Sequence, residues 1–112
     1  MRTRTPMTGI MLAALMSLGP GMAHAEVPET RQAELMHLLT QDCGSCHGLK
    51  RRGGLGPALT PEALTGKPAV MLREVILHGL PGTAMPPWKN FMSTQEADWM
   101  VQMLLEGRTD AP

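Results

Sequence analysis

In several segments of the chain apolar residues recur at three- and four-residue intervals, which is the spacing of one face of a helix. Leucines at this spacing predict a first helix over residues 30–42, with Thr30 as its N-cap. A second, short helix is predicted from Thr60 as cap and Pro61 as first helical residue, because proline is favoured there, and it should stop near Gly66.

Two further helices follow in the second half of the chain. One is predicted over residues 68–78 and should end at Gly79, and the last begins after the capping box that runs from Ser93 to Glu96 and ends at Gly107. The predicted apolar faces consist of Val70, Met71, Val75 and Ile76 on the third helix and of Ala97, Met100, Val101 and Leu104 on the last, with Trp99 and Met103 beside them.

The segments between these helices are rich in glycine and proline. Residues 48–59 and 80–90 therefore predict loops, the second of them partly rigid because it holds three prolines. No stretch of the sequence alternates in the manner of a strand. We therefore predict an all-α fold with about four helices.

The first 25 residues have the pattern of a secretory signal peptide. Two arginines precede a short apolar run, and Ala23-His24-Ala25 fits the small-x-small cleavage pattern. The run is too short for a transmembrane helix, which needs about 20 residues. We expect cleavage after Ala25, export to the periplasm and a mature domain over residues 26–112; an uncleaved interfacial anchor is the alternative.

The charge balance argues against two classes of partner. Without its first 25 residues the chain keeps eight Lys and Arg against ten Asp and Glu, whereas nucleic-acid binding usually shows as a basic patch. No second apolar run is long enough for a membrane helix. We expect a monomer that binds no nucleic acid and has no stable membrane insertion.

The string Cys43-Gly44-Ser45-Cys46-His47 has the C-x-x-C-H pattern of covalent c-type haem attachment. Positions i, i+3 and i+4 share one helical face, so both thiols and the imidazole can meet one haem. A disulfide or a thioredoxin-type dithiol is the first alternative, but the strand and helix alternation of that fold is missing. A zinc site is the second, and it would want four ligands.

A haem iron held by His47 has a second axial position, and a methionine thioether there raises the reduction potential. Met85 lies in a loop and is followed by two prolines that restrict its backbone, so it is the predicted ligand. Met92 is the runner-up and His78 the third choice, while an iron without a second ligand would be open to small molecules. The remaining methionines after residue 25 are predicted to pack in the core: Met36, Met71, Met100 and Met103.

Three more features lie close to the predicted haem. The carbonyl of Pro57 is the best candidate to orient the other ring nitrogen of His47, or else it only makes a turn. Trp88 either donates its indole N–H to a haem propionate or caps the core. Lys50-Arg51-Arg52 forms either a positive rim that steers an acidic partner or a solvated loop.

The haem motif, the string Gly54-Leu55-Gly56-Pro57-Ala58-Leu59 and the string Met85-Pro86-Pro87-Trp88 together resemble the small class I cytochromes c. With Ile76-Leu77-His78-Gly79 they more narrowly resemble the NirC group of periplasmic monohaem cytochromes, linked to cytochrome cd-type nitrite reductase. The resemblance spans residues 42–105.

This resemblance implies crossed terminal helices around one haem c, His47 and Met85 as axial ligands, and the Pro57 carbonyl as the partner of His47. The chain departs from many class I members at Leu35 and Leu39, because those members carry a glycine and an aromatic residue at the two positions. The helix crossing is therefore expected to be wider or shifted, with Leu39 against Trp99.

Three functions fit these features. The first is a one-electron carrier with redox partner proteins, by resemblance the nitrite reductase, and not an enzyme. The second is an accessory role in assembly of that reductase or in haem maturation. The third is a haem protein that binds small ligands, for which the sequence offers no clear distal acid or base. A haem subunit of a larger dehydrogenase is a further alternative.

Overall fold

The computed structural model describes residues 26–109, and every regular element in that range is helical. The elements are α1 (Glu29–Leu38), a π-helical turn (Leu39–Cys43), α2 (Gly44–His47), α3 (Pro61–Leu64), α4 (Ala69–His78) and α5 (Thr94–Glu106). The predicted signal peptide and its cleavage site lie outside the described residues. Within residues 26–109, no helix is both long and apolar enough to cross a bilayer.

The ends of α3 and α5 follow the predicted caps. The Thr60 hydroxyl accepts the amide of Ala63 at 3.3 Å, and Pro61 is the first residue of α3. Ser93 and Glu96 form the predicted reciprocal capping box, and Gly107 ends α5 in the left-handed conformation. These local signals needed no tertiary context, and the predictions drawn from them are confirmed.

The first helix differs from its prediction in two ways. It begins at Glu29 with Pro28 in the cap position, so the prediction that Thr30 caps it was wrong. Residues 39–43 then form a π-helical turn rather than an α-helix, and α2 carries the helical path on to His47. A π turn holds one residue more than an α turn, and such turns are frequent at functional sites.

The core lies where α5 packs against α1, α3 and α4. Leu35 and Leu39, at the two positions that depart from class I patterns, are fully buried in it, and Trp99 packs against the same cluster. The other buried apolar residues of the cluster are Val27, Met36, Leu64, Leu77, Met92, Ala97, Met100, Met103 and Leu104. The predicted core roles of Met36, Met100 and Met103 are therefore confirmed.

The predicted apolar face of α4 is partly wrong. Val70 and Met71 are 54% and 41% exposed, while Leu77 is buried and Leu72 packs against the core instead. The side of α4 that packs against the core carries Leu72, Ile76 and Leu77. These three residues lie on one side of the helical wheel, and two of them are near the C-terminal end of the helix. Hydropathy alone did not distinguish the two faces, since α4 is apolar on both.

Candidate haem site

His47 is the last residue of α2, and its ring is oriented by the loop that follows. Its Nδ1 lies 2.7 Å from the carbonyl oxygen of Pro57. A carbonyl only accepts hydrogen bonds, so Nδ1 carries the proton and donates it. In this tautomer the lone pair lies on Nε2, which is the atom available to a metal.

The two cysteines lie on the same helical path as His47. Cys43 ends the π-helical turn and Cys46 lies in α2, both half-buried and both with free thiols. Burial, followed by the nearby carboxylate of Asp42, raises the pKa of the Cys43 thiol to about 11. Since both sulfurs are free, the structure contains no disulfide between them.

Backbone hydrogen bonds hold the loop 48–59 against the Cys46-His47 pair. Gly56 donates its amide to the Cys46 carbonyl and Gly53 donates to the His47 carbonyl, each at 2.8 Å. A Cβ atom on Gly56 would lie 2.7 Å from both Cε1 and Nδ1 of the His47 ring. The loop backbone therefore lies directly against the imidazole, at a distance that only glycine allows.

The three cations after the haem motif do not act as one rim. Lys50 and Arg52 are exposed, but Arg51 is only 7% exposed. Its Nη2 donates to the carbonyl oxygen of Arg108, beyond the end of α5, at 2.9 Å. Neither of the two roles considered for Lys50-Arg51-Arg52, a positive rim or a solvated loop, holds for Arg51, which is buried and bonded to the end of the chain after α5.

The loop that carries Met85 is fixed to the end of α4. The Met85 carbonyl accepts the amide of Leu80 at 3.2 Å, and the Met85 amide donates to the Thr83 hydroxyl at 3.2 Å. The Thr83 hydroxyl in turn donates to the Leu80 carbonyl at 2.7 Å. These bonds fix the backbone of the half-buried Met85, and the roles of Thr83 and Leu80 in them were not predicted from the sequence.

Trp88 lies at the end of the same loop, where the backbone again contacts α4. Its amide donates to the Ile76 carbonyl at 3.0 Å, and its ring lies 5.5 Å from that of Phe91 at 55°. With Leu38, Asp42, Pro86 and Pro87 these two rings line an open groove of about 290 Å³. Trp88 also packs against the core, so the capping role foreseen for it is present.

The two alternative ligands have other roles in this structure. Met92 is 5% exposed and belongs to the apolar core. His78 is exposed, and its Nε2 lies 3.4 Å from a carboxylate oxygen of Glu74 one turn earlier in α4. Among residues 26–109, no group of three or more His, Cys, Asp and Glu side chains is arranged to hold a metal ion.

The residues present fit a covalently attached haem. The donor set offers two free thiols and an imidazole whose Nε2 is left available, all within residues 43–47. Gly56 keeps the space beside the imidazole clear of any side chain. Met85 supplies a thioether from a separate, hydrogen-bonded loop. Two thiols and a histidine are the groups of the C-x-x-C-H attachment motif, and histidine with methionine is an axial pair found in cytochromes c.

Comparison with known proteins identifies relatives of this chain. A sequence profile described as cytochrome c oxidase, cbb3-type, subunit III, matches residues 30–104. The chain is 57% identical over 88 residues to cytochrome c55X of Pseudomonas aeruginosa, a match that covers 79% of this chain and 74% of that protein. The chain belongs to the family of small c-type cytochromes. To cytochrome c55X of Stutzerimonas stutzeri the cytochrome is 52% identical over 99 residues, covering 88% of this chain and 87% of that one.

Solved structures confirm the fold of the cytochrome. The c-type cytochrome NirC superposes with a TM-score of 0.70 at 59% identity, over 74% of this chain and 96% of that chain. The all-α, small cytochrome c fold predicted from the sequence is therefore confirmed. Members of this family bind haem c covalently.

A longer protein contains a related segment. Dihydro-heme d1 dehydrogenase of Pseudomonas aeruginosa is 35% identical over 98 residues, a match that covers 88% of this chain but only 20% of the dehydrogenase. The solved dihydro-heme d1 dehydrogenase NirN in complex with DHE superposes with a TM-score of 0.58 at 40% identity, over 72% of this chain and 16% of that one. A unit resembling this cytochrome is thus one part of that larger protein.

Proposed function

We propose that this cytochrome is an exported one-electron carrier with a single haem c. In this proposal Cys43 and Cys46 form the thioether links, and His47 Nε2 and Met85 Sδ are the axial ligands. The orientation of His47 is the observation that carries the proposal, because Nδ1 is held by Pro57 and Nε2 is left available. When bound, haem supplies a one-electron iron couple.

The chain's own residues account for the carrier role in this proposal. Pro57 fixes the tautomer and the ring plane of His47, so the nitrogen ligand stays in place during the redox cycle. The loop bonds of Leu80 and Thr83 do the same for the backbone of Met85. Two ligands on fixed backbones leave no position for substrate, which favours electron transfer over catalysis.

The attachment is tested on the purified, exported protein. Its mass should exceed that of residues 26–112 by one haem, and the haem should stay with the polypeptide under denaturing conditions. Cys43→Ala and Cys46→Ala should each remove one link, while Ser45→Ala, on the same turn, should leave both links intact. A colourless mature protein with two titratable thiols would exclude the proposal. The same mass measurement tests cleavage after Ala25.

The axial methionine is tested with carbon monoxide. A saturated His/Met haem should bind it poorly at neutral pH, whereas Met85→Ala should bind it promptly in the ferrous state. Met71→Ala is the matched control, because the Met71 side chain is 41% exposed on α4. Prompt binding by the unaltered protein would favour a small-ligand-binding role instead, and an unchanged Met85→Ala spectrum would exclude Met85.

We further propose that the partner is a cytochrome cd-type nitrite reductase in the periplasm, as the likeness to NirC and cytochrome c55X supports. Lys50 and Arg52 remain exposed after the haem motif and could steer an acidic partner surface. Stopped-flow mixing of the reduced cytochrome with that reductase should give fast, salt-dependent oxidation. Lys50→Gln with Arg52→Gln should slow it, whereas Lys67→Gln should not. If the nitrite reductase oxidised the cytochrome no faster than unrelated electron acceptors do, the proposal that it is the partner would be excluded.

An accessory role in haem maturation is the second candidate. It is favoured by the likeness of this chain to one fifth of a dihydro-heme d1 dehydrogenase. In this role the cytochrome would accept electrons released when a dihydro-haem is oxidised. Mixing the oxidised cytochrome with such a dehydrogenase and its substrate should then reduce it. If only the nitrite reductase reacts, the carrier role stands alone.

A further inference from the structure

Arg51 is unusual among the residues that surround the haem motif. It is almost fully buried, although arginine is rarely buried without a specific partner. Among residues 26–109 it is also the one residue other than glycine with a positive φ, at 56°. A side chain in this left-handed region is unfavourable and persists only where surrounding contacts hold it.

The backbone of Arg51 joins the two ends of the loop 48–59. Its amide donates to the Gly48 carbonyl at 2.7 Å, and its own carbonyl accepts the amide of Leu59 at 2.8 Å. Leu59 lies two residues after Pro57, whose carbonyl receives the Nδ1–H of His47. The position of the Pro57 carbonyl therefore depends on the conformation of Arg51.

The side chain of Arg51 ties this loop to the residue that follows the C-terminal cap of α5. Its Nη2 donates to the Arg108 carbonyl at 2.9 Å. Arg108 is itself held by the end of α5, because its amide donates to the Met103 carbonyl at 2.9 Å and Gly107 donates to Leu104 at 3.1 Å. The guanidinium thus connects the loop to the C-terminal end of α5.

We propose that Arg51 is a positioning residue that holds the Pro57 carbonyl on Nδ1 of His47 by fixing the loop 48–59 to the end of α5. Through this bond it adjusts how strongly His47 donates electrons to the iron, since hydrogen bonding to the second ring nitrogen raises ligand basicity. The inference rests on the haem attachment proposed above.

The test compares three variants in the reduced, haem-loaded protein. Arg51→Gly keeps the left-handed backbone without strain and removes only the side chain, so it should fold. Arg51→Lys keeps the charge and a terminal donor and should largely restore the original behaviour. Arg52→Gln, at the exposed neighbouring position, is the charge control.

The deciding measurement is the rate at which the His47 Nδ1 proton exchanges with solvent, observed by NMR. Arg51→Gly should exchange about tenfold faster, because the loss of one hydrogen bond shifts local opening by about that factor. Amide exchange in α4 and α5 should change less, since it reports unfolding of the core. Arg52→Gln should leave the Nδ1 exchange rate unchanged.

The reduction potential provides a second, independent readout. A weaker Nδ1–H bond favours ferrous iron and raises the potential of Arg51→Gly, whereas a purely electrostatic role predicts a lower potential, because a positive charge is lost. Unchanged Nδ1 exchange in a coloured Arg51→Gly protein would overturn the inference. So would equal acceleration of exchange at Nδ1 and throughout α5, which would show a general loss of stability. A colourless unaltered protein would instead exclude the haem attachment itself.

Discussion

Gly79 lies against the Met85 carbonyl so closely that no other residue fits. A Cβ atom on Gly79 would come within 2.7 Å of that carbonyl oxygen and within 2.9 Å of the Pro86-Pro87 peptide. Its φ is +70°, which L-residues with a side chain rarely adopt. The glycine that ends α4 therefore also determines where the loop of the proposed sulfur ligand lies.

Gly79→Ala should displace the Met85 loop and weaken the iron–sulfur bond. The expected result is loss of the ligand-to-metal absorbance band of the ferric protein and faster carbon monoxide binding to the ferrous protein. The cause is the collision with the Met85 carbonyl, which adds to a backbone strain of about 1 kcal/mol. Absorbance spectroscopy and ligand-binding kinetics provide the measurement.

Gly82→Ala is the control that distinguishes the effect of a steric collision from the effect of backbone strain. Gly82 has a similar φ of +80°, but an added Cβ would meet nothing within 4 Å. This control should lose stability through strain alone and keep its spectrum. If both variants lost the band equally, the contact between Gly79 and Met85 would not position the ligand.

Gly56→Ala should disturb the other side of the proposed haem. Its Cβ would lie 2.7 Å from the His47 ring, so the ring must tilt or the loop must move away. We expect a lower yield of haem-loaded protein and a loss of roughly 1 to 3 kcal/mol in the free energy of unfolding, as for other overpacked sites. Haem content per polypeptide and urea unfolding measure the two effects.

Gly54→Ala is the comparison for that experiment. Its Cβ would lie 2.7 Å from the Cys46 carbonyl rather than from the imidazole. Both variants should be less stable, but only Gly56→Ala should alter the NMR signals of the His47 ring in the reduced protein. Identical ring signals in the two would contradict the close contact between Gly56 and the imidazole.

Met92→Ala should reduce stability without altering the haem spectrum. Met92 is 5% exposed and lies in the apolar core, so its removal leaves a cavity. Buried methionine-to-alanine changes cost about 2 to 5 kcal/mol, which thermal unfolding would measure. A changed iron spectrum at an unchanged melting temperature would instead make Met92 the ligand.

The pair formed by Arg31 and Glu96 should make stability depend on pH. Arg31 Nε donates to Glu96 at 2.6 Å, joining α1 to the start of α5, and this bond holds the pKa of the Glu96 carboxyl below its usual range. A lowered pKa contributes stability above the ordinary carboxyl value of about 4.3, and that contribution is lost as the pH falls through the folded value.

Arg31→Gln should therefore cost about 1 to 2 kcal/mol at pH 7 and less at pH 3, where Glu96 is more fully protonated, while the bond from Arg31 to the Phe91 carbonyl is lost at both pH values. Urea unfolding of both proteins at the two pH values measures the difference. Arg73→Gln, which removes an exposed contact to Asp98 on α5, should cost less at either pH. A constant difference between Arg31→Gln and the unaltered protein from pH 7 to pH 3 would contradict the role of the Glu96 charge.

The sequence was sufficient wherever one local interaction decides the structure. Ser93 and Glu96 predicted the start of α5, and Thr60 with Pro61 predicted the start of α3, because a cap involves only neighbouring residues. The five-residue haem motif predicted the family in the same way, since its spacing is set by the chemistry of one cofactor. The bond between Pro57 and His47 has the geometry that was expected of that pair.

The sequence was not sufficient where distant segments meet. Arg51 lies between two other cations, and nothing local shows that its side chain reaches a carbonyl 57 positions away. The exposure of Met71 and the burial of Leu77 depend on how α4 lies against α5, which hydropathy does not determine in a helix that is apolar on both sides. Gly79 was predicted only as a helix end, because its contact with Met85 exists only once the loop has folded back.

The π-helical turn at Leu39–Cys43 joins α1 to α2, and it contains one residue more than an α-helical turn would. Each residue of an α-helix advances the winding by about 100°, so this extra residue fixes the angle between the leucine side of α1 and the cysteine side of α2. If the same residues wound as a regular α-helix, the cysteine side would be rotated against the leucine side by that amount. The two thiols would then point away from the proposed haem while the leucines remained packed in the core. The spacing between Leu35 and Cys43 is therefore as much a part of the haem-binding motif as the five residues of the motif itself.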